Sequence, residues 1–158
     1  IVSRLADKAQ FLIFGRDPGI AGAKATGLIR DYRKMPLLYS AADLFIGTSL
    51  AESFGQTYCE ASACGLPLVA FRVGGIPDLA RHNVNAKLVD NIDVEQYIEE
   101  VIYFMNNPAE RLMYGSAGRS IIETEFTLNK QAERWQHYLD GFADHLCQSH
   151  FLCEMEGK

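Results

Sequence analysis

Short runs of apolar residues recur along the chain, separated by glycine, proline and polar residues. Those at residues 11–14, 44–46, 68–71 and 86–89 are continuous rather than alternating, which is typical of strands buried on both faces of a parallel sheet. A weaker strand is predicted near residues 25–28, within a long loop that contains several glycines. The pattern therefore predicts a parallel sheet whose strands are joined by other elements.

Helical signals lie between and after these strands. Pro36 is placed to open one helix, and a central helix is predicted over residues 55–64. Asp93 is placed to cap a third helix, whose apolar residues recur at helical spacing. Two more helices are predicted over residues 109–123 and 128–146. Strands that alternate with helices, followed by a helical segment, define the α/β class.

The connection rules for parallel strands refine this fold class. Right-handed crossovers favour a single Rossmann-like domain, residues 1–146, with a parallel sheet and helices on both faces. Residues 147–158 are expected to form a polar C-terminal tail. In the last helix Trp135, Leu139 and Phe142 lie on one apolar stripe, which is expected to pack in a core.

Composition excludes several classes of function. The chain has 158 residues and a net charge of −5, which argues against a nucleic-acid binder. Arg30, Arg33 and Lys34 form a local basic cluster, interpreted as a solvated turn. No CxxC pair or zinc-ligand histidine spacing is present, so we expect no metal site and a reducing, cytoplasmic environment. No apolar run approaches the roughly 20 residues of a membrane span.

Candidate chemistry lies in residues 51–71, AESFGQTYCEASACGLPLVAF. Here a loop is predicted to become the central helix near Gly55. The amides of Gly55, Gln56 and Thr57 are then free donors at the positive end of the helix dipole. Such a corner binds phosphates and other anions, although a tight turn alone also explains a single glycine.

Two glutamates flank this corner. Glu60 lies among small apolar residues, where an ionised carboxylate is costly unless it meets donors such as ribose hydroxyls. The alternative is an exposed or salt-bridged side chain. Glu52 precedes the helix, at the edge where ligands of open α/β sheets bind. Its alternative is a carboxylate stabilised by the helix dipole. The residues themselves therefore indicate two carboxylates that bracket a diphosphate.

Residues 39–79, YSAADLFIGTSLAESFGQTYCEASACGLPLVAFRVGGIPDL, resemble the donor-binding half of family 4 glycosyltransferases. The glutamate pair with Phe-Gly between them and the following Cys-Gly-Leu-Pro carry the resemblance, which extends over about residues 11–142. The resemblance implies half of a two-domain GT-B architecture and a retaining, metal-independent transferase. It also implies a nucleoside-diphosphate sugar as the donor substrate.

The resemblance implies a role for each matching position. Glu52 would contact the donor sugar and support its anomeric centre as the catalytic residue, and Glu60 would hold the ribose hydroxyls. The remaining donor-binding positions are Phe54, Gly55, Gln56 and Thr57 for the sugar and diphosphate, Leu28 and Ile29 for the base, and Gly74 and Gly75 for a loop that lines the cleft.

Two parts of the family pattern are missing. The arginine and lysine that clamp the phosphates belong to a first strand that this chain lacks, and Arg4 and Lys8 are interpreted as helix-end or surface residues. The acceptor-binding amino-terminal domain is also absent. Because Ile1 is not an initiator, we expect a chain truncated at its amino terminus and inactive by itself.

The predicted function is the donor-binding half of a retaining glycosyltransferase that moves a sugar to a saccharide or lipid-linked acceptor. The Gln56-Thr57 pair resembles a subgroup that extends surface polysaccharides, which indicates polysaccharide or glycoconjugate synthesis. The alternatives are a non-catalytic nucleotide-sugar-binding module and a nucleotide-sugar epimerase of GT-B fold. The expected location is the cytoplasm, or the inner face of a membrane for the full-length protein, and membrane association stays open.

Overall fold

A computed structural model of the chain describes residues 1–155, with the side chains of residues 1–142. The chain forms two compact units, Ile1–Ser120 and Ile121–Lys158. The predicted boundary at residue 146 stays a prediction, and residues 156–158 of the predicted tail lie outside the described residues. Within the described part of the chain, no helix combines the length and the apolar character that a membrane crossing requires.

The strands of the first unit pair in parallel, as predicted. They are β1 (Phe11–Ile13), β2 (Ala23–Ala25), β3 (Phe45–Gly47), β4 (Leu68–Phe71) and β5 (Ala86–Val89). Their hydrogen bonds form a two-stranded sheet, β1-β2, and a three-stranded sheet in the order β3-β4-β5. The α/β class is therefore confirmed, although the strands form two ladders where one sheet was predicted.

The two ladders differ in burial. All four residues of β4 are buried, with relative exposures of 0–3%. In contrast, Leu12 in β1 is 43% exposed, so the prediction that this strand is buried on both faces is wrong. A continuous apolar run reports hydrophobicity but not whether both faces of the strand are covered.

β2 lies earlier in the chain than predicted. Gly27 has a φ of 71°, in the left-handed region, and this ends the extended backbone before Leu28. Leu28 consequently lies in a loop with 74% of its surface exposed. The amide of Gly15 donates to the carbonyl of Gly27 at 3.1 Å, so the start of this loop lies beside the residues that follow β1.

Helices connect and follow the strands. They are α1 (Val2–Leu5), α2 (Met35–Ser40), α3 (Gln56–Ala63), α4 (Ile76–Leu79), α5 (Val94–Asn106), α6 (Pro108–Glu125) and α7 (Leu128–Met155), with a 3-10 turn at Tyr32–Lys34. Pro36 lies in the first turn of α2, where the missing amide hydrogen costs no helical bond. The Asp93 carboxylate accepts from the amides of Glu95 and Gln96 at 3.0 and 3.1 Å, which confirms the predicted cap of α5.

The core is organised around β4. Tyr97 of α5 is fully buried, and its hydroxyl is shared between the carbonyl oxygens of Gly47 at 3.1 Å and Val69 at 2.6 Å. This contact ties α5 to β3 and β4 at once. It therefore holds the carboxyl end of β3, where the loop that leads to α3 begins.

The apolar stripe of α7 is exposed to solvent. Trp135, Leu139 and Phe142 are 63%, 54% and 55% exposed, so the prediction that they pack in a core is wrong. Helical spacing shows that one face of a helix is apolar, but it does not specify what covers that face.

Candidate functional site

The amino terminus of α3 is shaped by Gly55. This residue caps the helix in the left-handed conformation, with φ of 87° and ψ of 57°. A β-carbon there would lie 2.9 Å from Cδ2 of Tyr58, so both the backbone and the available space favour glycine. Its carbonyl accepts from the amides of Tyr58 and Cys59. The helix thus begins at Gln56, one residue later than predicted, and Gly55 serves as its cap.

The first turn of α3 carries the features expected of an anion site. No side chain caps this end of the helix within the described residues. The amides of Gln56 and Thr57 occupy the first two helical positions, where a helix has no internal acceptor for them. This end of the eight-residue helix also carries the positive end of its dipole.

Glu60 lies just over one turn into α3, and both of its carboxylate oxygens accept hydrogen bonds from tyrosines. Tyr39 donates to Oε2 at 2.9 Å, and Tyr32 donates to Oε1. Burial raises the pKa of the Glu60 carboxyl above its ordinary value. The Glu60 carboxylate is therefore partly buried and has protein hydroxyl donors, while its contact with a ribose stays a prediction.

Glu52 lies in the loop between β3 and α3, and its backbone is held by the glycine pair that follows β4. The amide of Gly75 donates to the Glu52 carbonyl oxygen at 2.9 Å. A β-carbon on Gly74 would lie 1.8 Å from that oxygen, and one on Gly75 would lie 2.1 Å from the carbonyl oxygen of Ser53. Gly74 and Gly75 were predicted to line the cleft. That role stays a prediction, and the structure shows that both glycines permit two loops to pack backbone to backbone.

The residues predicted to bind the base lie in the loop after β2, and those predicted to bind the sugar and diphosphate lie before and at the start of α3. Leu28 and Ile29 follow β2, and the same segment continues to Tyr32, whose hydroxyl reaches Glu60. Phe54, directly before the helix cap, is 41% exposed. The structure therefore brings Tyr32 into contact with Glu60 of α3, although 28 residues separate the two in the chain.

Two of the basic residues, Arg33 and Arg4, lie as the sequence predicts. Arg33 is 90% exposed at its side chain and pairs with Asp31, which confirms the solvated turn. Arg4 lies in α1 and pairs with Glu95 of α5 at 2.5 Å, which confirms it as a helix-end residue. Within the part whose side chains are described, no group of three or more His, Cys, Asp or Glu residues is placed to hold a metal ion.

Sequence reasoning did not identify Tyr32 and Tyr39 as site residues. Tyr39 stands first in the stretch that carries the family resemblance, and its position on a helix among apolar residues was the available signal. Tyr32 lies within the basic turn, where no pattern distinguishes it from a surface residue. Both are joined to Glu60 only by tertiary contacts.

Parallel strands with a helix amino terminus beyond their carboxyl ends are typical of the class of α/β proteins that bind ligands at that edge. A comparison with known families specifies which member of this class the chain is. Residues 23–121 match the family described as Glycosyl transferases group 1. The chain belongs to this family.

Curated relatives agree with this assignment. The chain is 30% identical over 142 residues to the D-inositol 3-phosphate glycosyltransferase of Mycobacterium tuberculosis, which covers 75% of this chain and 30% of the relative. It is also 31% identical over 116 residues to the GDP-mannose-dependent monoacylated alpha-(1-6)-phosphatidylinositol monomannoside mannosyltransferase of Corynebacterium glutamicum. That match covers 69% of this chain and 30% of the relative. The chain thus spans less than a third of the length of these relatives.

Solved structures show the same fold. Sucrose-phosphate synthase from Thermosynechococcus elongatus matches with a TM-score of 0.74 and 24% identity, over 90% of this chain and 41% of that protein. Anabaena HepE in complex with UDP-glucose matches with a TM-score of 0.75 and 22% identity, over 89% and 44%. The chain therefore has the α/β fold found in GT-B glycosyltransferases.

Proposed function

We propose that this chain is the donor-binding half of a retaining glycosyltransferase that transfers a sugar from a nucleoside-diphosphate sugar to a saccharide or lipid-linked acceptor. One observation carries the proposal. The amino terminus of α3, for which the described residues provide no side-chain cap, and the Glu60 carboxylate lie on the same helix, with Glu60 four residues beyond its first position. At about 1.5 Å of rise per residue, this spacing suits a diphosphate at the helix end and a ribose beside the carboxylate.

The chemistry of the corner supports this function. Cleavage of a glycosyl–phosphate bond develops negative charge on the departing diphosphate, and the fixed dipoles at the start of α3 stabilise that charge. The sugar becomes oxocarbenium-like, and the Glu52 carboxylate, on the loop that enters α3, favours it electrostatically. In the proposed mechanism the departing phosphate assists deprotonation of the acceptor hydroxyl, with retention of configuration.

The relatives support the choice of donor class. One is named a GDP-mannose-dependent transferase, and one solved neighbour was crystallised with UDP-glucose. We propose that this chain also binds a nucleotide sugar, and we assign neither its base nor its sugar. Polysaccharide or glycoconjugate synthesis is the proposed process, and the cytoplasm or the inner face of a membrane is the proposed location.

The proposal is tested with the full-length protein, first by measuring nucleotide binding and then by measuring sugar transfer. Calorimetric titration with UDP, GDP and ADP is expected to identify one preferred nucleotide. Glu60→Ala is expected to weaken its binding by about 1–3 kcal/mol, as for a lost hydrogen bond to a charged group. Glu99→Ala, at an exposed position on α5, is the matched control and is expected to leave binding unchanged.

Two outcomes would contradict the proposal. Unchanged affinity in Glu60→Ala removes Glu60 from the site. Nucleotide binding without any transfer of sugar, measured with the corresponding nucleotide sugar and a panel of saccharide and lipid-linked acceptors, favours a binding module without chemistry.

A further inference from the structure

Two tyrosines contact Glu60, and they differ in how deeply each is buried. Each donates its hydroxyl to a different oxygen of the same carboxylate. Tyr39 is 3% exposed, whereas Tyr32 is 59% exposed. Two chemically identical donors on one acceptor, one fixed and one at the surface, indicate two different tasks.

Tyr39 is held rigidly. Its ring packs edge-on against Phe14, with 5.7 Å between ring centroids, and at a tilt against Phe45, with 6.2 Å between ring centroids. Burial raises its pKa to about 12, so the hydroxyl keeps its proton and remains a donor over the whole physiological range. Moving this side chain would open the core, so the Oε2 bond is a permanent restraint on the Glu60 carboxylate.

Tyr32 is held only lightly. It lies in the 3-10 turn that follows the exposed Leu28 segment. Its hydroxyl also accepts a long hydrogen bond of 3.5 Å from Nε2 of Gln56, which is itself exposed. Because Tyr32 is 59% exposed, rotating its side chain away from Glu60 disturbs less packing than moving Tyr39 would, so a ligand displaces Tyr32 more readily.

The geometry points to different roles for these two tyrosines in ligand binding. This inference rests on the proposed nucleotide-sugar binding. Tyr39 is a positioning residue that orients the Glu60 carboxylate, while the Tyr32 hydroxyl occupies the place that a ribose hydroxyl of the bound nucleotide takes. A phenol and a secondary alcohol are both neutral hydroxyl donors, so one replaces the other at Oε1 without a change of charge. Tyr32 therefore competes with the ligand.

Matched substitutions separate the two tasks, because Tyr32→Phe and Tyr39→Phe remove the same hydroxyl group from the same carboxylate. Tyr32→Phe is expected to tighten nucleotide binding, since no internal bond must be broken first. Tyr39→Phe is expected to weaken it, since the carboxylate loses its restraint. Each change is expected to be about tenfold, the size of one hydrogen bond to a charged group.

The experiment is a calorimetric titration of the full-length protein with UDP, GDP and ADP, and with the 2′,3′-dideoxy form of whichever nucleotide binds. The affinity ratio between the ribose and dideoxy forms is the decisive readout, because a purely structural role does not move it. The ratio is expected to rise in Tyr32→Phe, fall in Tyr39→Phe and approach one in Glu60→Ala. Tyr103→Phe, whose hydroxyl faces Glu110 away from this site, is the control.

The outcomes distinguish this inference from the proposed function. If no nucleotide binds the unsubstituted protein, both the proposed function and this inference are wrong. If a nucleotide binds and Glu60→Ala weakens it, but Tyr32→Phe leaves the affinity and the ratio unchanged or lowers them, only the inference is overturned. Thermal unfolding checks that the Tyr39→Phe variant is folded. If it is not folded, the direction of the affinity change in Tyr32→Phe is sufficient to test the inference.

Discussion

The amide of Gly75 donates a 2.9 Å hydrogen bond to the carbonyl oxygen of Glu52, and this bond fixes the loop in front of α3. The contact is close enough to exclude any side chain, because a β-carbon on Gly75 would lie 2.1 Å from the carbonyl oxygen of Ser53. Position 75 therefore sets the backbone of the loop that carries the proposed catalytic carboxylate.

Gly75→Ala is expected to displace the Glu52 loop and to lower stability by about 1–3 kcal/mol, the usual cost of an overpacked contact. The backbone of Gly75 has a φ of −83°, which alanine adopts freely, so the steric contact alone is tested. Chemical denaturation of the variant measures the loss. Gly141→Ala is the control, because a β-carbon there meets nothing within 4 Å. Equal stability of the two variants would show that the loops do not depend on this contact.

The raised pKa of Glu60 predicts opposite pH dependences for folding and for binding. The folded state keeps the proton to a higher pH than the unfolded chain does. The stability from this group is therefore full below the unfolded pKa and is lost as the pH rises through the folded pKa. The ionised carboxylate is the acceptor for ligand hydroxyls, so nucleotide affinity is expected to rise over that same interval.

Titrations of the preferred nucleotide across this interval, with the native protein and with Glu60→Gln, measure the effect on binding. The difference between the two profiles removes the ionisation of the nucleotide itself. The native protein is expected to lose affinity on acidification more steeply than Glu60→Gln. Parallel profiles would exclude Glu60 as the titrating group.

Tyr97→Phe is expected to destabilise the first unit by about 1–3 kcal/mol, because it leaves buried carbonyl oxygens with fewer donors. The hydroxyl of Tyr97 contacts the carbonyls of Gly47 and Val69, so its loss also loosens α5 from β3 and β4. Chemical denaturation is the measurement. Tyr138→Phe, at a residue that is 66% exposed, is the control and is expected to shift stability by less than about 0.5 kcal/mol. A similar loss in both variants would argue against the buried contact.

Local signals located most elements of the fold. The continuous apolar runs at β4 and β5 coincide with the observed strands, and Asp93 caps α5 as predicted. These features depend on interactions within a few residues of one another, which a sequence displays directly. β2 was misplaced because the left-handed backbone at Gly27, which ends it before Leu28, has no hydrophobic signature.

The exposed stripe of α7 shows a different limit. Its apolar spacing is real, yet Trp135 and Phe142 are more than half exposed. Amphipathic spacing follows from the geometry of one helix, whereas burial depends on what packs against it. The pattern therefore identified an apolar face, but it did not show whether anything covers that face.

By itself, the sequence determined the class of fold, the corner at Gly55 and the placement of Glu52 and Glu60 around it, because glycine and isolated carboxylates have strong local consequences. Tertiary structure alone decided what those residues contact. The two tyrosines on Glu60 lie 21 and 28 residues before it in the chain, and the glycine pair behind Glu52 follows a different strand. Such contacts arise from the way parallel strands bring separate loops to one edge of the sheet, which no local pattern records.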